Sequence, residues 1–297
     1  MSEHDPSVMR RVMALRQIPA FSRAALDELA TLADNAREMT FPPGAVVAQP
    51  GARMPTLQLV VEGRIEMPDR ASPSGGTLTW GPHEVFGALE VLAGRKCARR
   101  AVAAVATRTL QLSGIEFTEL LDDNLGLLLS MMRELARNVI ARGGSVAMHS
   151  APATFAKEPL GLVERLILLR RQGPFGKGHL QALAMLAQLS EEITWPAGAE
   201  IVRAGDLATN VIAIIEGEVR TSGEAYSADA IGLVETVAAL PHVETIRAAT
   251  PVRALMSSNI ALFDTLEDHT ELGLVMLESF ASALLDAPCV PDPAHVN

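Results

Sequence analysis

The sequence predicts an α+β chain made of two copies of one domain. Three observations carry this. The 297 residues are close to the length of two average domains. The sequence repeats itself. Within each repeat, helical spacing of apolar residues gives way to short β-rich pieces punctuated by Gly and Pro, then returns to helix.

Laid on itself at a shift of 154 residues, 21–66 meets 175–220 without a gap and shares 14 of 46 positions. Typical residue frequencies give about three. Phe21 meets Phe175, Leu26, Leu29 and Leu32 meet Leu180, Leu183 and Leu186, and Pro42, Gly44 and Gly51 meet Pro196, Gly198 and Gly205. A second gapless stretch, 86–112 on 231–257, shares seven of 27 positions at a shift of 145. The first copy therefore carries nine more residues between the two stretches, placed in the turn-rich segment Pro68–Gly76.

In chain order, each copy opens with a short helix, Val8–Arg16 or Leu160–Arg171. A second helix follows, Arg23–Asn35 or Gly178–Leu189, with apolar residues at i, i+3 and i+4. The β-like pieces of the first copy are Ala45–Ala48, Leu57–Val61, Thr77–Trp80 and Arg100–Leu112. Those of the second are Ile201–Val202, Val211–Ile215, Ile231–Val237 and Thr245–Met256. Each copy closes with an apolar helix, Leu125–Ala141 or Glu271–Leu285. The predicted domains are 8–142 and 160–286, joined by a linker at 143–159 and followed by a Pro-rich tail at 287–297.

Composition narrows the function classes. Hydrophobic residues make up 48% and charged residues 20%, too apolar for a disordered chain. No apolar run is long enough for a membrane span, and the N-terminus lacks the apolar core of a secretory signal. Cys97 and Cys289 make no disulfide framework, so the expected compartment is the cytoplasm. Residues 1–150 hold 16 Lys+Arg against 16 Asp+Glu; residues 151–297 hold 9 against 19. That acidity argues against DNA as a partner.

The ordered motifs Phe41-Pro42-Pro43-Gly44, Val61-Glu62-Gly63-Arg64-Ile65 and Gly81…Val85-Phe86-Gly87 resemble the cyclic-nucleotide-binding domain of catabolite activators and kinase regulatory subunits. The second copy repeats them as Trp195-Pro196-Ala197-Gly198, Ile215-Glu216-Gly217 and Ile231-Gly232. The resemblance implies two β-jelly-roll (double-stranded β-helix) domains, each with flanking N- and C-terminal helices. It also implies a phosphate-binding cassette, in which a Glu accepts from the ribose hydroxyl and an Arg forks the cyclic phosphate.

Both copies depart from that cassette. The first reads Phe86-Gly87-Ala88-Leu89, with Ala88 at the ribose position and Cys97 in register with the phosphate Arg. The second reads Ile231-Gly232-Leu233, with Leu233 and His242 at those positions, followed by Val243 and Glu244. Losing two charge-assisted hydrogen bonds costs about 3–6 kcal/mol, or roughly two to four decades of affinity. The candidate ligand residues are therefore Phe86, Gly87, Ala88, Leu89, Arg99 and Arg100 in copy one, and Gly232, Leu233, His242 and Val243 in a degenerate copy two. Arg95, Lys96, Arg99 and Arg100 form either a solvated basic turn or an anion site by another route. Glu90 and Glu235, two positions past the ribose site, serve as a salt bridge or cap or, rotated, as a ribose contact.

Other chemistries find little support. No two of the seven histidines lie within five residues, so no metal-binding cupin pattern exists. There is no P-loop, no Gly-x-Ser-x-Gly elbow and no catalytic constellation. The eleven residues after copy two leave no room for a helix-turn-helix. The basic neighbours of Cys97 suggest either a stabilised thiolate or a passive cysteine. The helix Leu125–Ala141 is apolar on more than one face, fit for internal packing or for a dimer contact. The expectation is a non-enzymatic protein without cofactor. It is either a sensor of a cyclic nucleotide or other anion, or a ligand-independent scaffold for a protein partner or a second copy of itself.

Overall fold

The computed structural model describes residues 6–22, 24–68, 76–143, 159–221, 225–226 and 230–287. The predicted linker and tail lie almost wholly outside these residues, as does most of the longer turn at 68–76.

Copy one runs α1 (Pro6–Arg16), α2 (Leu26–Asn35), β1 (Arg37–Phe41), β2 (Val46–Ala48), β3 (Thr56–Glu62), β4 (Ile65–Pro68), β5 (Thr77–Trp80), β6 (Val85–Phe86), α3 (Ala88–Leu92), β7 (Ala101–Ala103), β8 (Thr107–Ser113), α4 (Gly114–Asp123) and α5 (Leu125–Ala141). Copy two runs α6 (Leu162–Arg171), α7 (Leu180–Gln188), β9 (Glu191–Trp195), β10 (Glu200–Val202), β11 (Asn210–Glu216), β12 (Val219–Arg220), β13 (Ala225–Tyr226), β14 (Ala230–Ile231), α8 (Leu233–Ala238), β15 (Ile246–Ala248), β16 (Val252–Ser258), α9 (Asn259–Asp268) and α10 (Thr270–Asp286).

The sheets repeat as the sequence does. Copy one pairs β1-β8-β3-β6 and β2-β7-β4-β5; copy two pairs β9-β16-β11-β14 and β10-β15-β12-β13. Every pairing is antiparallel and maps strand for strand between the copies. Each copy is a β-jelly roll with helices before and after it. Even the irregularity repeats: the register shifts between Val60 and Glu62 against β8, and between Ile214 and Glu216 against β16.

Three differences from the sequence reading have physical reasons. Ile231–Val237 is not a strand: Ile231 ends β14, Gly232 turns the chain, and α8 follows. A short apolar run does not by itself separate strand from buried helix. Arg100–Leu112 splits into β7 and β8, which belong to different sheets. The sequence reading placed no element at α4 and α9, which start where Ser113 and Ser258 accept hydrogen bonds from the N–H groups of Glu116 and Ala261.

By internal contacts the chain forms two compact units. One is Met1–Met131 with Leu284–Asn297, the other Met132–Ala283. In the first unit Phe21 meets Phe117 edge-on at 5.9 Å, joining the turn after α1 to α4. The Arg11 guanidinium donates to the carbonyls of Ala33 and Ala36 at 2.9 and 3.2 Å, satisfying the end of α2. Arg165 does the same in the second unit, donating to Ala187 and Ser190 at 3.1 and 2.7 Å. These four hydrogen bonds form two equivalent pairs: Arg11, Ala33 and Ala36 match Arg165, Ala187 and Ser190 at the 154-residue shift. Along α5, Leu128, Met132, Ala136 and Val139 are buried, while Leu125, Leu129 and Ile140 are half-buried.

Candidate functional site

In copy one, Phe86 ends β6 buried, its ring 5.0 Å from Trp80 in an edge-to-face contact. Gly87 then turns the chain with φ +84° into α3. A Cβ there would fall 2.7 Å from the Met54 methyl, so Met54 occupies the space over this turn. Ala88 and Leu89 are half-buried at the start of α3. Glu90 is buried, and burial holds its carboxyl above the ordinary carboxylate range.

The segment after α3 is tied down by its backbone. Gly51 N–H donates to Cys97 O at 2.8 Å, and Cys97 N–H donates to Ala52 O at 2.9 Å. The Cys97 thiol is buried and donates to Arg99 O at 2.9 Å. It packs in an apolar cluster with Val60, Ile65, Phe86 and Ala101. Burial, helped by the nearby Glu90 carboxyl, pushes the thiol pKa up. This corrects the stabilised-thiolate alternative: desolvation outweighs the basic neighbours, which point elsewhere. Arg95 pairs with Asp286 at 2.6 Å, and Arg99 donates to Pro68 O at 3.3 Å. Arg100 is exposed.

The Glu90 result has a pH consequence. The folded chain holds this proton more tightly than the unfolded chain does, so stability falls as pH rises from the ordinary carboxylate range through the raised value. Glu90→Gln removes that loss. The variant should melt close to wild type near about pH 4 and above it at about pH 8. Equal melting temperatures at both pH values would show that Glu90 ionises without cost.

In copy two, Gly232 turns with φ +83° into α8, whose first residue, Leu233, is buried. Thr236 Oγ1 donates to Asn210 O at 3.1 Å and ties the helix to β11. The backbone at the phosphate-Arg position matches copy one: Gly205 N–H donates to His242 O at 3.0 Å and His242 N–H donates to Asp206 O at 2.9 Å. The imidazole is 8% exposed and lies against the cassette turn, its Cε1 3.1 Å from where a Cβ on Gly232 would stand. The structure thus brings Gly232 and His242 together. Val243 points away, largely exposed.

Beside it is a cavity of about 420 Å³ lined by Thr221, Glu244, Thr245 and Arg247. Its guanidinium is already engaged, Arg247 donating to Glu200 at 2.5 Å, while Thr245 Oγ1 accepts from Ala204 N–H at 3.0 Å. Thr221 and Arg247 escaped the sequence reading. The signal available was the period-two alternation predicted for the piece Thr245–Met256, which sets Thr245 and Arg247 on one side. Among the described residues no three His, Cys, Asp or Glu side chains gather as a metal site, and no helix is long and apolar enough to cross a membrane.

Residues 38–124 match the family model described as cyclic nucleotide-binding domain. This segment spans β1 to α4, the jelly roll of copy one, which is thus similar to a cyclic nucleotide-binding domain; copy two repeats its strand order. No curated protein matches the chain. Among solved structures, the regulatory domain of Toxoplasma gondii PKA with cAMP is similar at 15% identity and a TM-score of 0.37, covering 95% of this chain and 98% of that one. The regulatory subunit of a cAMP-independent protein kinase A from Trypanosoma brucei is similar at 13% and 0.38, covering 90% and 89%. The sensor domain of the transcriptional regulator DNR from Pseudomonas aeruginosa is similar at 17% and 0.42, covering 48% and 98%.

Proposed function

We propose that the chain is a non-enzymatic, cytoplasmic regulatory protein. In this reading two cyclic-nucleotide-binding-type domains, 8–142 and 160–286, have lost the charged grip on a cyclic nucleotide. One observation carries it: the phosphate-Arg position holds a buried thiol in copy one and an imidazole lodged on Gly232 in copy two. Neither presents the bidentate fork that a cyclic phosphate needs. Ala88 and Leu233 supply no ribose acceptor. Met54 and the Trp80–Phe86 pair fill the interior of copy one.

Copy two keeps room for a ligand of altered chemistry. The recess beside Glu244 is largely open to solvent and holds about 420 Å³. Glu244 repels phosphate and Arg247 is neutralised by Glu200, so the lining suits a hydroxyl-rich or zwitterionic molecule rather than a nucleotide anion.

Thermal unfolding with cAMP, cGMP and cyclic dinucleotides tests this. A ligand at 100 times its dissociation constant adds about 2.7 kcal/mol to stability. No shift is expected at micromolar ligand. A saturable shift in that range would overturn the reading.

A further inference from the structure

We infer that molecules of this protein associate with one another head to tail, the arginine-flanked apolar face of a leading helix, α1 or α6, on one chain docking on the acidic face of a trailing helix, α4 or α9, on another. Most apolar residues of α5 are buried, and the large apolar residues that stand most exposed lie on other elements. Two surfaces that combine exposed apolar side chains with charge occur twice in the chain.

The first lies on the leading helices. Met9 and Met13 are exposed one turn apart on α1; the residues that match them at the 154-residue shift, Val163 and Ile167, are exposed on α6 at 64% and 48%. Arg16 on α1 and its match Arg170 on α6 are exposed beside these pairs; α1 adds exposed Arg10, where α6 carries the half-buried Glu164.

The second lies on the helices after the last strand of each copy. Ile115 in the first turn of α4 is 72% exposed, and its counterpart Ile260 on α9 is 67% exposed. Each isoleucine is followed by exposed carboxylates at the fourth, seventh and eighth positions. On α4 these are Glu119, Asp122 and Asp123; on α9 they are Asp264, Glu267 and Asp268.

Single exposed apolar residues are ordinary on protein surfaces. Here the same positions stay apolar and exposed in two copies that differ at most other positions; carboxylates flank them on α4 and α9, arginines on α1, and arginine with one glutamate on α6. Complementary charge favours contact between unlike faces and disfavours contact between like faces. A second copy of this chain is thus the occupant that matches both. The contact is heterologous, so it extends or closes a ring rather than stopping at a symmetric pair. The inference is independent of any ligand in the cassettes.

Sedimentation velocity on the full chain tests it over roughly 1–100 μM, where contacts of this strength populate oligomers. The weight-average sedimentation coefficient should rise with concentration at low salt. It should fall toward the monomer value at ~0.5 M salt, where the Debye length shrinks to a few ångströms. Two charge-reversed variants sharpen the test. One carries Glu119→Lys, Asp123→Lys, Asp264→Lys and Asp268→Lys; the other carries Arg10→Glu, Arg16→Glu and Arg170→Glu. Each alone, melting as wild type does, should stay monomeric, because both of its faces then bear one sign. Mixed in equal amounts they should associate. A wild type that stays monomeric at low salt, or a mixture no larger than its components, would overturn the inference. So would self-association of either variant alone, which would indicate like-face pairing. Binding to vesicles containing anionic lipid without self-association would assign the basic face to a membrane instead.

Discussion

The double variant Leu233→Glu, His242→Arg should bind cAMP two to four decades more tightly than the wild-type second copy. The scaffold for such a site is present. Gly232 keeps the left-handed turn that opens α8, and the backbone bonds from Gly205 and to Asp206 hold residue 242 beside it. The two side chains that would meet the ribose hydroxyl and the cyclic phosphate are what differ. Restoring them adds two charge-assisted contacts, each worth roughly 1.5–3 kcal/mol. A carboxylate at the buried Leu233 position should lower the melting temperature of the free variant, because its desolvation is uncompensated until ligand arrives. Added cAMP should then raise it well beyond any shift in wild type. Calorimetric titration of both proteins, with Glu244→Ala added to remove the remaining repulsion, checks the affinity. Equal, weak binding by wild type and variant would show that this turn no longer borders a nucleotide-sized space.

Much of this arrangement was legible because it repeats. A 14-in-46 match carried the domain count, and paired Gly and Pro positions carried the strand boundaries, since a jelly roll needs its turns in the same places whatever fills the strands. Ala88, Leu233, Cys97 and His242 were legible as departures by register alone. What the side chains do there was not. Cys97 stands among four basic residues in sequence, yet its side chain faces the barrel while Arg95 and Arg99 turn to Asp286 and to Pro68 O. The segment 95–100 is an irregular turn with no helix or strand period, so spacing in the sequence does not fix which way each side chain faces. Glu90 and Glu235 are equivalent in sequence, but Glu90 is buried and Glu235 only half-buried. Nothing in the sequence singles out Arg11 and Arg165, because their acceptors lie 22 and 25 residues away, at the ends of other helices.

The other large effect should come from Phe86→Ala, which we expect to destabilise the first unit by about 3–5 kcal/mol. Phe86 is the largest side chain of the cluster formed with Ala48, Val60, Ile65, Met67, Cys97 and Ala101, and it stacks edge-on against Trp80. Few of these neighbours can close the gap, because most are small residues or β-branched residues with one preferred rotamer. The cost therefore includes both the lost transfer energy and a lasting cavity. Against a domain stability of about 5–15 kcal/mol, that is a large fraction of the total. The chain holds two tryptophans, Trp80 in copy one and Trp195 in copy two, so fluorescence in a Trp195→Phe background reports the first copy alone. The denaturant midpoint seen by Trp80 should drop sharply on Phe86→Ala. The midpoint seen by Trp195 in the matching Trp80→Phe background should move much less. A loss below about 1 kcal/mol at Trp80 would mean the barrel interior collapses around the missing ring. That would contradict the view that packed side chains, rather than a ligand, hold this copy's interior together.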